Sequence, residues 1–229
     1  MSQVAPSGSG GLPGSQHPDD PTALRDRPAG RPVLTSETLL TGMVWDVVRD
    51  TVDLGPAGTV QREYVRHPGA VGVLALDEGG RVLLVRQYRH PVRRELWELP
   101  AGLLDVDGEP PLEAARRELA EEADLRAARW DVLVDWFSSP GGMDETVRVY
   151  LARDLTEVPA TERHVRVHEE AGLVAAWVPL DDARDAVLAG DLHNPTAVTG
   201  VLAACAARDT GWSTLRPAEA PWPGHTSGR

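Results

Sequence analysis

Glu118, Glu121 and Glu122 crowd into one short stretch, "AARRELAEEA", covering residues 114–123. On a helix turning about 100° per residue, Leu112, Ala115, Leu119 and Ala123 share a stripe of roughly 80°. The three glutamates sit on the flank beside that stripe at i,i+3 and i,i+4 spacing, so their side chains converge. Like charges so spaced destabilise a bare helix, and a hard divalent cation reverses the sign of the effect. Mg²⁺ takes a few carboxylates, retained waters and phosphate oxygens. The chemistry open to this face is therefore metal-assisted attack on a phosphate or pyrophosphate. The competing reading is a solvated, glutamate-rich surface. Glu113, about 140° round the helix from Glu118, belongs to the outer face on either reading.

Such a face must be held by other elements. Pro110 and Pro111 suit a helix start, where the first N–H groups have no partner to lose. The predicted helix runs from Leu112 to Glu122. Before it, "TLLTGMVWDVVRDTVDL" meets the turn "GPAG" and then "TVQREYVRH", which reads as a strand pair. "AVGVLALD" and "RVLLVRQYR" are two apolar runs joined by "EGG", the clearest hairpin in the chain. "LWELPAGLLD" is a short strand entering a loop, and "ARWDVLVDWF" and "TVRVYLARDL" are further strands. A later helix ends at Gly190, and another opens with Asn194 as its cap and Pro195 behind it. Strands interleaved with two or three helices indicate an α/β or α+β sandwich. Residues 1–31 are rich in Gly, Pro and Ser and read as a disordered tail. Residues 32–68 form an N-terminal β region, 69–212 the main domain, and 213–229 a second loose tail.

The chain has 229 residues, a net charge of −12 and a pI near 5.0. So acidic a protein is a poor general binder of nucleic acid or anionic membrane, and an anionic substrate needs local help from a metal or from arginines. Cys205 is the single cysteine, which excludes an intrachain disulfide. No apolar run approaches the 18 or so residues of a membrane span, and no signal peptide opens the chain. A cytoplasmic protein is expected. His67, His90, His164, His168 and His193 have no metal spacing and read as solvated or capped histidines.

Gly102, Glu109, Arg117, Glu118, Leu119, Glu121 and Glu122 together resemble the signature of the Nudix hydrolases. That signature is Gly, five residues, Glu, seven residues, then Arg-Glu-apolar-any-Glu-Glu-any-Gly-apolar. A chance match at this many positions is on the order of 10⁻⁷ per window. The sequence departs from it twice. Six residues separate Gly102 from Glu109, the extra one falling in the turn-prone "DVDG". Asp124 stands where the second Gly is usual, and Asp tolerates the left-handed backbone expected after a helix.

The likeness runs from about Thr38 to Ala207 and is greatest to the ADP-ribose pyrophosphatase branch. It rests on "RQYRHPVRRELWELPAGLLD", on the glutamate box, on Pro140 fifteen residues after Leu125, and on the extra β region ahead of Val71. It implies a Nudix-type α/β/α sandwich with a mixed sheet, preceded by a small antiparallel N-terminal sheet. It implies Glu118, Glu121 and Glu122 as ligands of Mg²⁺ or Mn²⁺, two or more ions, with the Ala101 carbonyl assisting. Arg117 would hold the carboxylates, and Gly102, Glu109 and Pro140 would be structural. Glu145 would be the base or a further metal ligand, with Glu121 as ligand or water orienter. On its Gly141–Gly142 loop Glu145 reads as mobile, completing the site on closure. Arg89 would meet phosphate, Glu98 the nucleoside, and Trp45 and Arg66 the adenosine part, although Trp45 reads equally as core filling. The implied activity is hydrolysis of ADP-ribose to AMP and ribose 5-phosphate by a homodimer. Another nucleoside diphosphate sugar, or a non-catalytic nucleotide sensor, are the alternatives.

Overall fold

The computed structural model describes residues 25–165 and 172–225. The expected N-terminal tail falls outside that range up to residue 24, and so does His168. Three antiparallel strands come first, Val33–Thr41 (β1), Asp46–Asp53 (β2) and Thr59–Arg66 (β3), in the order β1-β2-β3. The sequence predicts a pair here. Gly42 divides the first predicted strand into a hairpin by donating its N–H to the Trp45 carbonyl at 3.0 Å. A Cβ at that position would collide with the same carbonyl oxygen, which is why the break falls on a glycine. The "GPAG" turn is a short 3₁₀ turn at Gly55–Ala57.

The rest of the chain runs Ala70–Ala75 (β4), Arg81–Arg89 (β5), Arg94–Glu98 (β6), Ala101–Leu103 (β7), Pro111–Ala123 (α1), Leu125–Phe137 (β8), Thr146–Glu157 (β9), Val174–Pro179 (β10), Leu180–Ala189 (α2), Pro195–Asp209 (α3) and Arg216–Pro217 (β11). A five-stranded sheet has the order β11-β8-β9-β4-β7, and within it only β4 and β9 are parallel. Side-chain alternation along β4 sets the layers. Val71, Val73 and Ala75 face a core shared with Leu112, Ala115 and Leu119 of α1. Leu74 faces the opposite core, with Leu180 of α2 and Val201 of α3. The sheet is thus covered by helices on both faces, the α/β/α sandwich that the sequence pattern and the resemblance imply.

The predicted hairpin of β4 and β5 forms as a turn but not as a ladder. Asp77 closes the turn, accepting the Arg81 N–H on its side chain at 2.8 Å. One bridge, Leu76 to Val82, joins the strands before they part. β4 is already flanked by β9 and β7, so β5 pairs instead with β6 and β10 in a second sheet. Apolar periodicity cannot distinguish these outcomes, because both strands are buried on both faces. The helix ends follow the sequence more closely. Gly190 is left-handed at φ 81°, and Asn194 Oδ1 accepts the Ala197 N–H at 3.0 Å.

The C-terminal segment is not loose as far as residue 225. β11 pairs with β8, and Ala218 is buried in the α1-side core. The cause is Arg148 on β9, which is 2% exposed. A buried guanidinium needs every donor satisfied. Arg148 makes a two-pronged pair with Asp135 at 2.8 and 3.0 Å, donates to the carbonyls of Ala220 and Pro221 at 2.8 and 3.1 Å, and lies 4.8 Å from the Trp222 ring centre. Those carbonyls tie the segment down as a strap. Arg148→Leu should lower the unfolding free energy in urea by about 3 kcal/mol, because it strips Asp135 of a buried partner. A loss below about 1 kcal/mol would mean that apolar packing alone holds the strap.

Candidate active site

β7 brings the backbone of Ala101 and Gly102 against α1. Glu118 is 9% exposed although it is a carboxylate on a helix flank. It fits because residue 102 has no side chain: a Cβ there would overlap the Glu118 carboxylate and approach its Cγ to 2.6 Å. The requirement on Gly102 is space, not backbone conformation. The extra residue between Gly102 and Glu109 is taken up by a turn in which Gly108 has φ 76° and the Glu109 N–H donates to the Val106 carbonyl at 3.1 Å. Asp124 is left-handed at φ 54° and ψ 34°, as its place after the helix predicts.

Arg117 joins the loop to the helix. It donates to both oxygens of Glu109 at 3.1 and 3.0 Å, to Glu118 at 2.5 Å and to Glu121 at 3.3 Å. The Glu109 bonds, more than any other contact, push its guanidinium still further toward the charged form. Glu122 is held differently: its Oε2 accepts the Ala101 N–H at 3.0 Å. Among the described residues no three His, Cys, Asp or Glu side chains form a ready-made metal cage. The glutamates share a face, as their spacing predicts, but Glu118 and Glu121 lean on the one arginine, Arg117, and Glu122 on the Ala101 backbone. The donor chemistry, carboxylate oxygens crowded on one helix flank, nevertheless fits a hard divalent cation.

Glu145 stands at the end of the loop between β8 and β9. That loop is fastened rather than free, because the Gly142 carbonyl accepts the Val65 N–H at 2.9 Å. Pro140 lies in a tight turn closed by the Gly142 N–H on the Ser139 carbonyl at 2.9 Å. Beside Glu145 is His67, nearly buried, with Nδ1 3.5 Å from Glu145 Oε1. Composition and spacing gave no reason to select this histidine. Arg89 and Glu98, expected to contact different parts of a substrate, pair with each other at 2.9 and 2.7 Å.

A cleft of about 890 Å³ is lined in part by Trp45, Arg66, Glu109, Phe137, Asp144 and His225; Glu109 and Asp144 link it to the acidic helix and to the Glu145 loop, while Glu118, Glu121, Glu122 and Glu145 are not among its lining. Trp45 is therefore not core filling; it is 44% exposed on the cleft wall. Arg66 is there too, paired with Asp46 at 2.7 Å. The strap supplies His225, and burial followed by the charge of Arg148 pushes its imidazole below the usual histidine value. That shift favours the uncharged ring. The sequence hinted at this wall only through a lone aromatic among prolines, "APWPG".

A family model described as the NUDIX domain matches residues 66–197. The chain is 49% identical over 189 residues to the ADP-ribose pyrophosphatase of Mycobacterium tuberculosis, covering 82% of this chain and 89% of that protein. It is 34% identical over 161 residues to the ADP-ribose pyrophosphatase of Bacillus subtilis, covering 70% and 85%. In fold it is similar to a solved structure described as an ADP compounds hydrolase, with a TM-score of 0.65 at 21% identity over 82% of this chain and 99% of that one.

Gly102→Ala should displace Glu118 and weaken divalent-metal binding, measured by titration calorimetry, by about 10–100-fold. Glu113→Gln should leave metal binding unchanged, because that carboxylate is half exposed and pairs with Arg116 at 2.6 Å. Equal losses in the two variants would remove the case for a distinct acidic face.

Proposed function

The chain belongs to the Nudix family, and from that premise we propose that it hydrolyses the pyrophosphate of ADP-ribose, giving AMP and ribose 5-phosphate. The observation that carries this is the Arg117-organised carboxylate face beside a cleft of about 890 Å³, a volume suited to a nucleotide sugar. The relatives named ADP-ribose pyrophosphatase support the same substrate.

Divalent-metal dependence is general in the family. On this reading Glu118, Glu121 and Glu122 hold Mg²⁺ or Mn²⁺, two or more ions, with help from the Ala101 carbonyl. When bound, the metal supplies charge neutralisation on the phosphates and a more acidic water. Arg117 keeps the carboxylates in register. Glu145 accepts the proton of the water that attacks phosphorus. Arg89 turns its guanidinium to a phosphate. Glu98, 3% exposed with both oxygens committed to Arg89, orients that arginine rather than meeting a nucleoside itself. Trp45 and Arg66 receive the adenosine part along the cleft.

The chain works as a cytoplasmic homodimer on this reading. All nine residues of β1 are exposed, Leu34 and Leu40 by 57% and 55%, and so small a sheet is not stable uncovered. Light scattering at micromolar concentration should give twice the chain mass; a monomeric mass with full activity would refute the dimer.

Purified protein supplied with Mg²⁺ should release AMP from ADP-ribose with a higher kcat/KM than from other nucleoside diphosphate sugars. Glu122→Gln should cut kcat by about 10²–10⁴-fold. Faster turnover of a different nucleotide sugar would overturn the substrate, and turnover insensitive to chelation would overturn the mechanism.

A further inference from the structure

The end of β3 and the loop carrying Glu145 are stitched together by a set of contacts that the reaction scheme above does not use. Val65 donates its N–H to the Gly142 carbonyl at 2.9 Å, and its own carbonyl accepts the Asp144 N–H at 3.1 Å. These two bonds make a short parallel bridge between Val65 and Met143. Two residues after Val65, the His67 N–H donates to Asp144 Oδ1 at 2.8 Å. The His67 ring is then seated by the Gly69 N–H, which donates to Nδ1 at 3.1 Å. That seating places the ring edge 3.5 Å from Glu145 Oε1, with the His67 side chain 10% exposed and that of Glu145 19% exposed. Both contacts fall on Nδ1, so the nitrogen that accepts the Gly69 N–H has no proton for Glu145 and meets Oε1 acceptor to acceptor, which bounds how close that carboxylate comes. Gly69 follows Pro68 with φ 90°, a backbone that favours glycine, so the turn aiming its N–H at the ring is itself specified.

We propose that Asp144 and His67 are positioning residues, through which the N-terminal sheet sets the place of the Glu145 carboxylate. This rests on the reading of Glu145 as the base. Asp144 fastens the loop backbone next to Glu145, and His67 limits the swing of its side chain. The small sheet thereby serves the chemistry through the peptide backbone as well as through its cleft-facing side chains. A carboxylate meant to take a proton from one water molecule must hold its place to a fraction of an ångström. A loop containing Gly141–Gly142 does not provide that by itself.

The test is a double-mutant cycle on the full chain with ADP-ribose and Mg²⁺, reading kcat, KM and melting temperature. Asp144→Ala should lower kcat by about 10–100-fold, the usual cost of losing an outer-shell partner, with KM changed by less than about 3-fold. Asp144→Asn keeps an oxygen for the His67 N–H and should recover most of that loss. In a Glu145→Gln background Asp144→Ala should cost nothing further, because it acts only through Glu145. If Asp144 itself meets substrate or metal, Asn fails as badly as Ala and the cost persists in the Glu145→Gln background; either result overturns the proposal. If Glu145→Gln alone retains full kcat, the reading of Glu145 as the base falls and the proposal falls with it. Should Asp144→Ala not fold, His67→Ala enters the same cycle; it keeps the backbone N–H on Asp144 and removes only the ring, so it should lower kcat in the native background and cost nothing further beside Glu145→Gln, and a cost that persists there overturns the proposal.

Discussion

Arg117 meets Glu109 from the preceding loop and Glu118 and Glu121 from its own helix, one cation among three carboxylates. Two unit charges about 4 Å apart repel by about 4 kcal/mol at an effective dielectric near 20. Glutamates crowded on one flank would therefore oppose the helix that carries them. A fully buried leucine such as Leu119 contributes about 1.5–3 kcal/mol, the same order as one such repulsion. The arginine decides the balance. It also fixes the loop, since its two bonds to Glu109 close the segment between β7 and α1 onto the helix. Gly102 completes the arrangement by making room for Glu118. Loop, helix and acidic face are one electrostatic unit.

Around that unit the fold supplies rigidity on one side and adaptability on the other. α1 packs on the alternate residues of β4, a strand buried on both faces, so the carboxylates ride on a helix seated on the buried sheet. The cleft is walled differently. Most of its residues come from the hairpin at Gly42–Trp45, the loop before α1, the loop after β8 and the C-terminal strap, with the ends of β2, β3, β8 and β9 between them. The wall is thus mostly turn and loop, held at the ends of strands. A platform of regular structure carries the ionic chemistry, and loops carry the shape that meets a ligand.

What was legible in the sequence was local. The helix flank, the left-handed Asp124, the Gly108 turn and the Asn194 cap each depend on residues a few positions apart, and their physics is the same in any tertiary setting. The parting of β4 and β5 was not legible, because two apolar runs and a tight turn look alike whether the strands pair or are claimed by different neighbours. Nor was the strap. It exists because Arg148, 72 and 73 residues from Ala220 and Pro221, is buried and needs their carbonyls. His67 is hidden from local reading for the same reason, since its neighbour Glu145 lies far along the chain. The Arg89–Glu98 pair sits between these cases: both residues stand out in the sequence, but only their antiparallel strands reveal that they satisfy each other.

The strap also bears on how the molecule assembles. Its bonds to Arg148, and that of His67 to Asp144 across 77 positions, each close a long stretch of chain. Closing a loop of that size costs about 4 kcal/mol in chain entropy before any contact repays it. The platform under α1 carries the same cost, because β4 pairs with β9 with Ala70 opposite Val147, 77 positions on, although Ala101 and Glu122 are only 21 apart. Charged flank and enclosure are therefore secured by closures of similar length. A chain that has not yet brought β3, β4 and β9 together has neither a seated acidic helix nor a finished cleft, so holding a cation and choosing a ligand rest on the same long-range event.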